Sequence, residues 1–202
     1  MSQDAPFDPR FTLLREALWA RPRHDYAPDS APSAQASVSL VLRQAPSLEV
    51  LFIKRAKTPC DPWSGQMALP GGKRDAADST LLATAIRETV EETGVVLSES
   101  DHYLGTLDQA APWTADIPTI TIHPFVFGVP GETVAMPDRR EVDSVHWASI
   151  EALRDPANAH TVDWQMASGP GTFPAYRVDG QVVWGLTYRI LTDFLVKAAD
   201  GL

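Results

Sequence analysis

The sequence predicts a mixed α/β domain in which one sheet is covered on two faces by helices. Three observations carry that expectation. Two β-type runs, "SVSLVLR" and "LEVLFIKR", stand side by side around a turn at Pro46 and Ser47. A helix-period segment, "STLLATAIRETVEETG", stops at Gly94. An alternating run, "TITIHPFVFGV", comes after it, so strands and helices are interleaved along the chain.

Taken in order, "DPRFTLLREALWARP" opens on Asp8 as an N-cap and Pro9 at the first helical position. Phe11, Leu14 and Leu18 recur at helical spacing, and Pro22 ends the run. "PRHDYAPDSAPSAQ" is a linker by composition, so residues 1–35 form an N-terminal helix and linker and residues 36–202 the main domain. After the two strands, "TPCDPWSGQMALPGGKRDAADS" is dense in Pro, Gly and Asp and is expected to be mostly loop; loops of that length in a compact domain are often functional. In the helix that follows, Leu82, Ala85, Ile86 and Val90 are expected to face the core. "VDSVHWAS" is a further strand, and "AYRVDGQVVW" a hairpin turning at Asp179-Gly180. The last helix, "GLTYRILTDFLVKAA", repeats Leu186, Ile190 and Phe194 on one side.

Composition narrows the class. With 202 residues, 44% hydrophobic and 21% charged, the chain can bury a real core. No run approaches the ~18 apolar residues of a membrane span, and the acidic N-terminus lacks the order of a signal peptide. A single cysteine, Cys60, allows no internal disulfide, which suits a reducing cytoplasm. The net charge of −9 disfavours loose binding to nucleic acid or an anionic membrane.

That charge makes "RETVEETG" a puzzle. At about 100° per residue, Glu88, Glu91 and Glu92 fall in one wedge, with Val90 expected on the opposite side, in the core. Like charges at i,i+3 and i,i+4 weaken a helix by a few tenths of a kcal/mol each. They also sit in its last turns, where the dipole favours cations. Broken local rules mark functional sites, and Mg²⁺, which favours carboxylate oxygens and substrate phosphates, resolves both conflicts. A solvated acidic face with an Arg87–Glu91 pair is the alternative. The glycines of "LPGGK" upstream let backbone approach a ligand or metal closely.

"GGKRDAADSTLLATAIRETVEETGV" resembles the Nudix box, Gly-x5-Glu-x7-Arg-Glu-U-x-Glu-Glu-x-Gly-U with U apolar, matching at Gly72, Arg87, Glu88, Glu91, Glu92, Gly94 and Val95. Thr89 replaces an apolar residue. The leading glutamate is absent; Asp78 stands near it, with eight residues before Arg87 rather than seven. Asp78 either does that glutamate's work or caps the helix. The extra residue is familiar from the branch resembling coenzyme A pyrophosphatases. "LFIKRAKTPCDPWSGQMALPGGK" is similar to that branch at Arg55, Gly65, Gln66, Pro70, Gly71 and Gly72, but lacks the Thr and Ser flanking the arginine. Trp63 stands where a His would be, and Leu69 replaces Phe. "VVWGLTYRILTDFL" resembles the branch's last strand and helix, so the similarity runs over residues 36–196.

The resemblance implies a Nudix-type α/β/α sandwich, a mixed sheet between helices. It implies hydrolysis of the pyrophosphate bond in a nucleoside diphosphate linked to another moiety, coenzyme A or its acyl derivatives being the expected choice. ADP-ribose, nucleotide sugars and dinucleotides are alternatives, as is a non-catalytic sensor on the same fold. Mg²⁺ or Mn²⁺ would be held by Glu88, Glu91, Glu92, the Gly72 backbone and Asp78. Arg87 would orient the glutamates, Glu141 would serve as base or extra ligand unless it is a plain surface residue, and Arg55, Gln66, Gly71, Gly72 and Lys73 would hold the substrate. A small molecule is the expected partner, with a homodimer possible by analogy.

Other residues carry weaker signals. His24, His102, His123, His146 and His160 show no metal-ligand spacing, though His146 is a candidate for the site's surroundings. Cys60 has no nearby base to activate it. Trp63 and Trp113 either fill the core or stack on a nucleobase.

Overall fold

A computed structural model describes residues 8–20, 34–59, 63–112, 120–166 and 169–198. Cys60, Trp113, His24 and most of the Pro-rich linker lie outside the described residues. The chain runs α1 (Pro9–Ala20), β1 (Ala34–Arg43), β2 (Glu49–Arg55), β3 (Met67–Ala68), β4 (Gly71–Lys73), α2 (Leu81–Thr93), β5 (Tyr103–Thr106) and β6 (Ile120–Val129). It continues through β7 (Val142–Ser149), α3 (Ile150–Arg154), β8 (Ala159–Met166), β9 (Gly169–Val178), β10 (Gln181–Trp184) and α4 (Gly185–Lys197).

The main sheet is mixed, as expected. β1 runs parallel to β6, from Ala34 opposite Ile120 to Arg43 opposite Val129. β2 pairs antiparallel with β7, and β5 with β6. β1 and β2 pair at Leu42–Val50 and Arg43–Glu49 and then part. Into the gap come β4, against Ala36–Val38 of β1, and β3, against Ile53 and Lys54 of β2. The segment expected to be mostly loop thus contributes two short strands. Elements of two and three residues are too brief to display a period of two.

Alternation along β1 divides the core. Leu40 and Leu42 point to one face with Phe11, Leu14, Phe52, Val126 and Phe194. Val41 points to the other with Leu51, Ala85 and Phe127. α1 and α4 close the first face together with a second sheet of β8, β9 and β10; α2 closes the second. Each large side chain buried this way contributes about 1.5–3 kcal/mol. Among the described residues no helix is long and apolar enough to cross a membrane.

Val90 corrects the expectation for α2: it is exposed, at 36%. The helix buries Thr84, Ala85, Thr89, Glu92 and Thr93 instead. At about 100° per residue, Glu92 lies near the middle of that buried arc and Val90 well outside it. Reading apolar residues as the core face fails because the helix seats on β1 partly through hydroxyls. Thr89 Oγ1 lies 2.7 Å from both Ser39 Oγ and the Ala85 carbonyl.

Candidate active site

α2 begins at Thr80, whose side chain accepts from the Ala83 N–H, so Asp78 is not its cap. Asp78 lies outside the helix and accepts from Arg87 Nε at 2.9 Å and Nη2 at 2.9 Å. The Thr84 hydroxyl and the Asp75 N–H also donate to it, each at 2.9 Å. These donors, the Arg87 guanidinium first, hold Asp78 well below the usual carboxylate range. The same guanidinium reaches forward along the helix: Nη1 stands 2.9 Å from Glu88 Oε1 and 2.9 Å from Glu91 Oε2. Arg87 is therefore a bracket with Asp78 on one side and two glutamates on the other.

The glutamates differ in setting. Glu91 is open to solvent, its side chain 57% exposed, while Glu92 is 4% exposed. Glu92 accepts from the Gly71 N–H at 2.8 Å. Burial pushes Glu92 up to about 8; Glu88 and Glu141 repel its charge, while the Gly71 N–H and Arg55 favour it. Burial raises Glu88 as well, against the pull of Arg87.

The two glycines of β4 make this approach possible. A Cβ on Gly71 would lie 2.2 Å from the Ser37 carbonyl oxygen, and Gly71 has a φ of +151°. A Cβ on Gly72 would meet the Glu88 carboxylate at 2.5 Å. The gap between β1 and β2 thus brings backbone against carboxylates that a side chain would push away.

Downstream chain completes the rim. The Met136 and Asp138 N–H groups donate to the Thr93 and Glu92 carbonyls at the end of α2, at 2.8 and 3.0 Å. They satisfy carbonyls that a helix end leaves open. Glu141 follows, its carbonyl accepting from the Ala56 N–H at 2.8 Å just beyond β2. Its charge is felt by both Glu88 and Glu92. Arg55 ends β2 within electrostatic reach of Glu92.

The structure therefore gathers Asp78, Arg87, Glu88, Glu91, Glu92, Gly71 and Gly72, with Arg55 and Glu141 at the edge. Gln66 joins through its backbone carbonyl, which accepts from the Arg55 N–H at 3.0 Å. Lys73 is exposed, and its carbonyl receives Arg87 Nη2 at 3.4 Å. His146 lies elsewhere: it sits on β7 opposite Phe52, with Nδ1 3.9 Å from Asp179 of the β9–β10 turn. Trp63 is 37% exposed, so it does not fill the core. Sequence reasoning missed the Ser39–Thr89 seat and the Met136–Asp138 clamp. The box position of Thr89 is a signal for the first; the second has none, because backbone donors are common to every sequence. Among the described residues no three His, Cys, Asp or Glu side chains stand ready as a metal cage. The carboxylates are drawn onto Arg87 and the Gly71 N–H.

The family model of the NUDIX domain matches residues 34–168. An uncharacterised protein of Schizosaccharomyces pombe is 38% identical over 108 residues, covering 52% of this chain and 32% of that protein. The mitochondrial coenzyme A diphosphatase NUDT8 of Homo sapiens is 31% identical over 159 residues, covering 77% of this chain and 64% of its own. The chain thus spans less than two thirds of either relative's length. A MutT/nudix family protein from Enterococcus faecalis shares the fold, with a TM-score of 0.60 at 17% identity over 87% of this chain and 65% of that one. With the family match extending over more than half of its residues, this chain belongs to the NUDIX domain family.

Proposed function

We propose that this protein hydrolyses the pyrophosphate bond of a nucleoside diphosphate linked to another moiety, using Mg²⁺ or Mn²⁺. The observation that carries the reading is the approach of Glu88 and Glu92 to the Gly71–Gly72 backbone, with Glu91 held beside them by Arg87 and Glu92 buried and pushed up to about 8. The donor set fits a hard divalent cation: carboxylate oxygens, excess negative charge, and open space where Gly72 lacks a Cβ beside Glu88. Glu88, Glu91 and Glu92 would hold the ion. When bound, such an ion neutralises diphosphate oxygens and activates water for attack.

The chain's own residues do the rest. Asp78 fixes Arg87, and Arg87 keeps Glu88 and Glu91 aimed to the same side. Both are positioning residues. Arg55 and Lys73 attract the anionic substrate to an otherwise acidic rim. Glu141 faces the same carboxylates from a separate loop and is the candidate to take the proton of the attacking water. Water adds to phosphorus, the bridging P–O bond breaks, and two phosphate monoesters leave.

Coenzyme A or an acyl derivative is the substrate proposed within that class. Arg55, the "SGQ" run and the extra residue before Arg87 support it, as does likeness to a human protein named as a coenzyme A diphosphatase. Trp63, in place of the branch's His, favours a second reading: ADP-ribose, a nucleotide sugar or a dinucleotide. A substrate panel in Mg²⁺ and in Mn²⁺, read by mass spectrometry, separates the two. Cleavage of coenzyme A to two phosphate monoesters is expected. Preference for ADP-ribose with coenzyme A intact would move the specificity, and no cleavage of any member would leave a binding module.

A further inference from the structure

Ser37 on β1 and Thr121 on β6 bury their hydroxyls in the main sheet, the residues being 0% and 3% exposed. Among the described residues neither oxygen has a hydrogen-bond partner. Burying an unpaired hydroxyl costs stability, and alanine would fill the place of Ser37 without that cost. Ser39, two residues further along β1, is the contrast. Its hydroxyl meets the Ala85 carbonyl at 3.1 Å and Thr89 Oγ1 at 2.7 Å, and so helps to seat α2.

The place of Ser37 supplies a reason for its hydroxyl. Strand alternation puts Ser37 on the face of Ser39 and Val41, which α2 covers. Ser37 stands directly opposite Gly72 of β4, so their Cβ positions share that face about 5 Å apart. The Glu88 carboxylate crowds the Cβ position of Gly72, its atoms 2.5–2.6 Å away. The Ser37 hydroxyl is therefore buried next to Glu88, whose Oε1 is drawn onto Arg87 Nη1 at 2.9 Å. Thr121 shares the face of Phe125 and Phe127 but stands opposite Gln35, with β1 between it and β4.

We infer that Ser37 is a positioning residue for Glu88 as a metal ligand, its hydroxyl donating to the carboxylate and holding it in place; this rests on the pyrophosphatase reading above. A carboxylate that gives one oxygen to a cation keeps lone pairs that want a donor, and ligating carboxylates are fixed by such hydrogen bonds. Arg87 divides its donors among Asp78, Glu88 and Glu91, so a second donor steadies Glu88 independently of that bracket. The hydroxyl thus weakens the metal-free protein and strengthens the loaded site.

The test follows Mn²⁺ binding to the full chain by calorimetry, with metal-free melting beside it, in wild type, Ser37→Ala and Thr121→Val. Ser37→Ala should bind Mn²⁺ about tenfold more weakly, while its metal-free Tm equals or exceeds that of wild type. Thr121→Val should match it in Tm but keep wild-type Mn²⁺ affinity, because its hydroxyl lies away from Gly72. A merely structural serine would move the Tm and not the affinity. Equal Mn²⁺ affinity in wild type and Ser37→Ala would overturn the inference alone. So would a lower metal-free Tm in Ser37→Ala, or a loss of affinity just as large in Thr121→Val. Failure of the underlying reading looks different: wild type itself would bind no Mn²⁺, and both would fall.

Discussion

The two faces of the main sheet are built by different rules. On the α1 and α4 side, Phe11, Leu14, Phe52, Leu191 and Phe194 are each 2% exposed or less, in an apolar cluster that extends under the second sheet. On the α2 side the apolar cluster is smaller, and it gives way to Ser39, Thr84, Thr89, Glu92 and Thr93, all buried. Burying a carboxylate costs several kcal/mol unless it is compensated. A chain able to close one face with phenylalanines had the means to close the other, so the second face answers to a different requirement. One side holds the fold together, and on the proposed function the other holds charge in place for chemistry.

The comparison can be broken by mutation. Phe194→Ala should cost about 3–5 kcal/mol in stability by urea unfolding, with kcat per folded molecule unchanged. Glu92→Gln should do the reverse, lowering turnover by about 10²–10³ at saturating Mg²⁺ with the fold intact by circular dichroism. A Glu92→Gln rate above about a tenth of wild type would remove Glu92 from the proposed ligand set. Glu91→Gln should cripple turnover as well, although its solvent exposure leaves more room for neighbours to compensate.

pH sharpens the contrast. Glu92 titrates near 8 when folded, above its ordinary carboxylate range when unfolded. Between those values the folded state keeps a proton that the unfolded state has lost, so the metal-free protein should lose stability as pH rises from about 4.5 to 8. Glu92→Gln should remove that fall, giving a higher metal-free Tm than wild type at pH 8 and an equal one near pH 4.5. A Tm difference that does not change with pH would mean that Glu92 is not strained by its burial.

The smallest effect concerns the helix seat. Thr89→Val alone leaves Ser39 without its hydroxyl neighbour and should cost about 1–2 kcal/mol by thermal melting. Adding Ser39→Ala should return much of that loss, because two apolar groups then face each other. A double variant no better than the single would show that the hydroxyl pair is not the unit holding α2 to β1.

How much of this was legible in the sequence follows from which forces leave a pattern. β1, β2, β6, β7, α1, α4 and the Asp179-Gly180 hairpin could be read because burial imposes a period and turns demand particular residues, whereas β8 and the first half of β9, largely exposed, carry no such period. β3 and β4 could not, since they are ordered by the strands on either side of them. The wedge of glutamates was visible as a broken rule, but the depth of Glu92 was not, because Val90 looked like the residue to bury. Asp78 was misjudged as a possible cap for a similar reason. Spacing locates a carboxylate along the chain, whereas its partner, Arg87, is set by how the loop folds back.

The most direct measurement is a Mn²⁺ titration by calorimetry at pH 7, in two buffers of different ionisation enthalpy, on wild type and Glu92→Gln. The proposed site predicts Mn²⁺ binding by wild type with release of a proton, because Glu92 must give up the one it holds below about 8. Glu92→Gln should bind Mn²⁺ far more weakly and release no proton. Equal Mn²⁺ affinity in the two proteins, or no binding by wild type, would contradict the claim that this helix carries its negative charge in order to hold a cation.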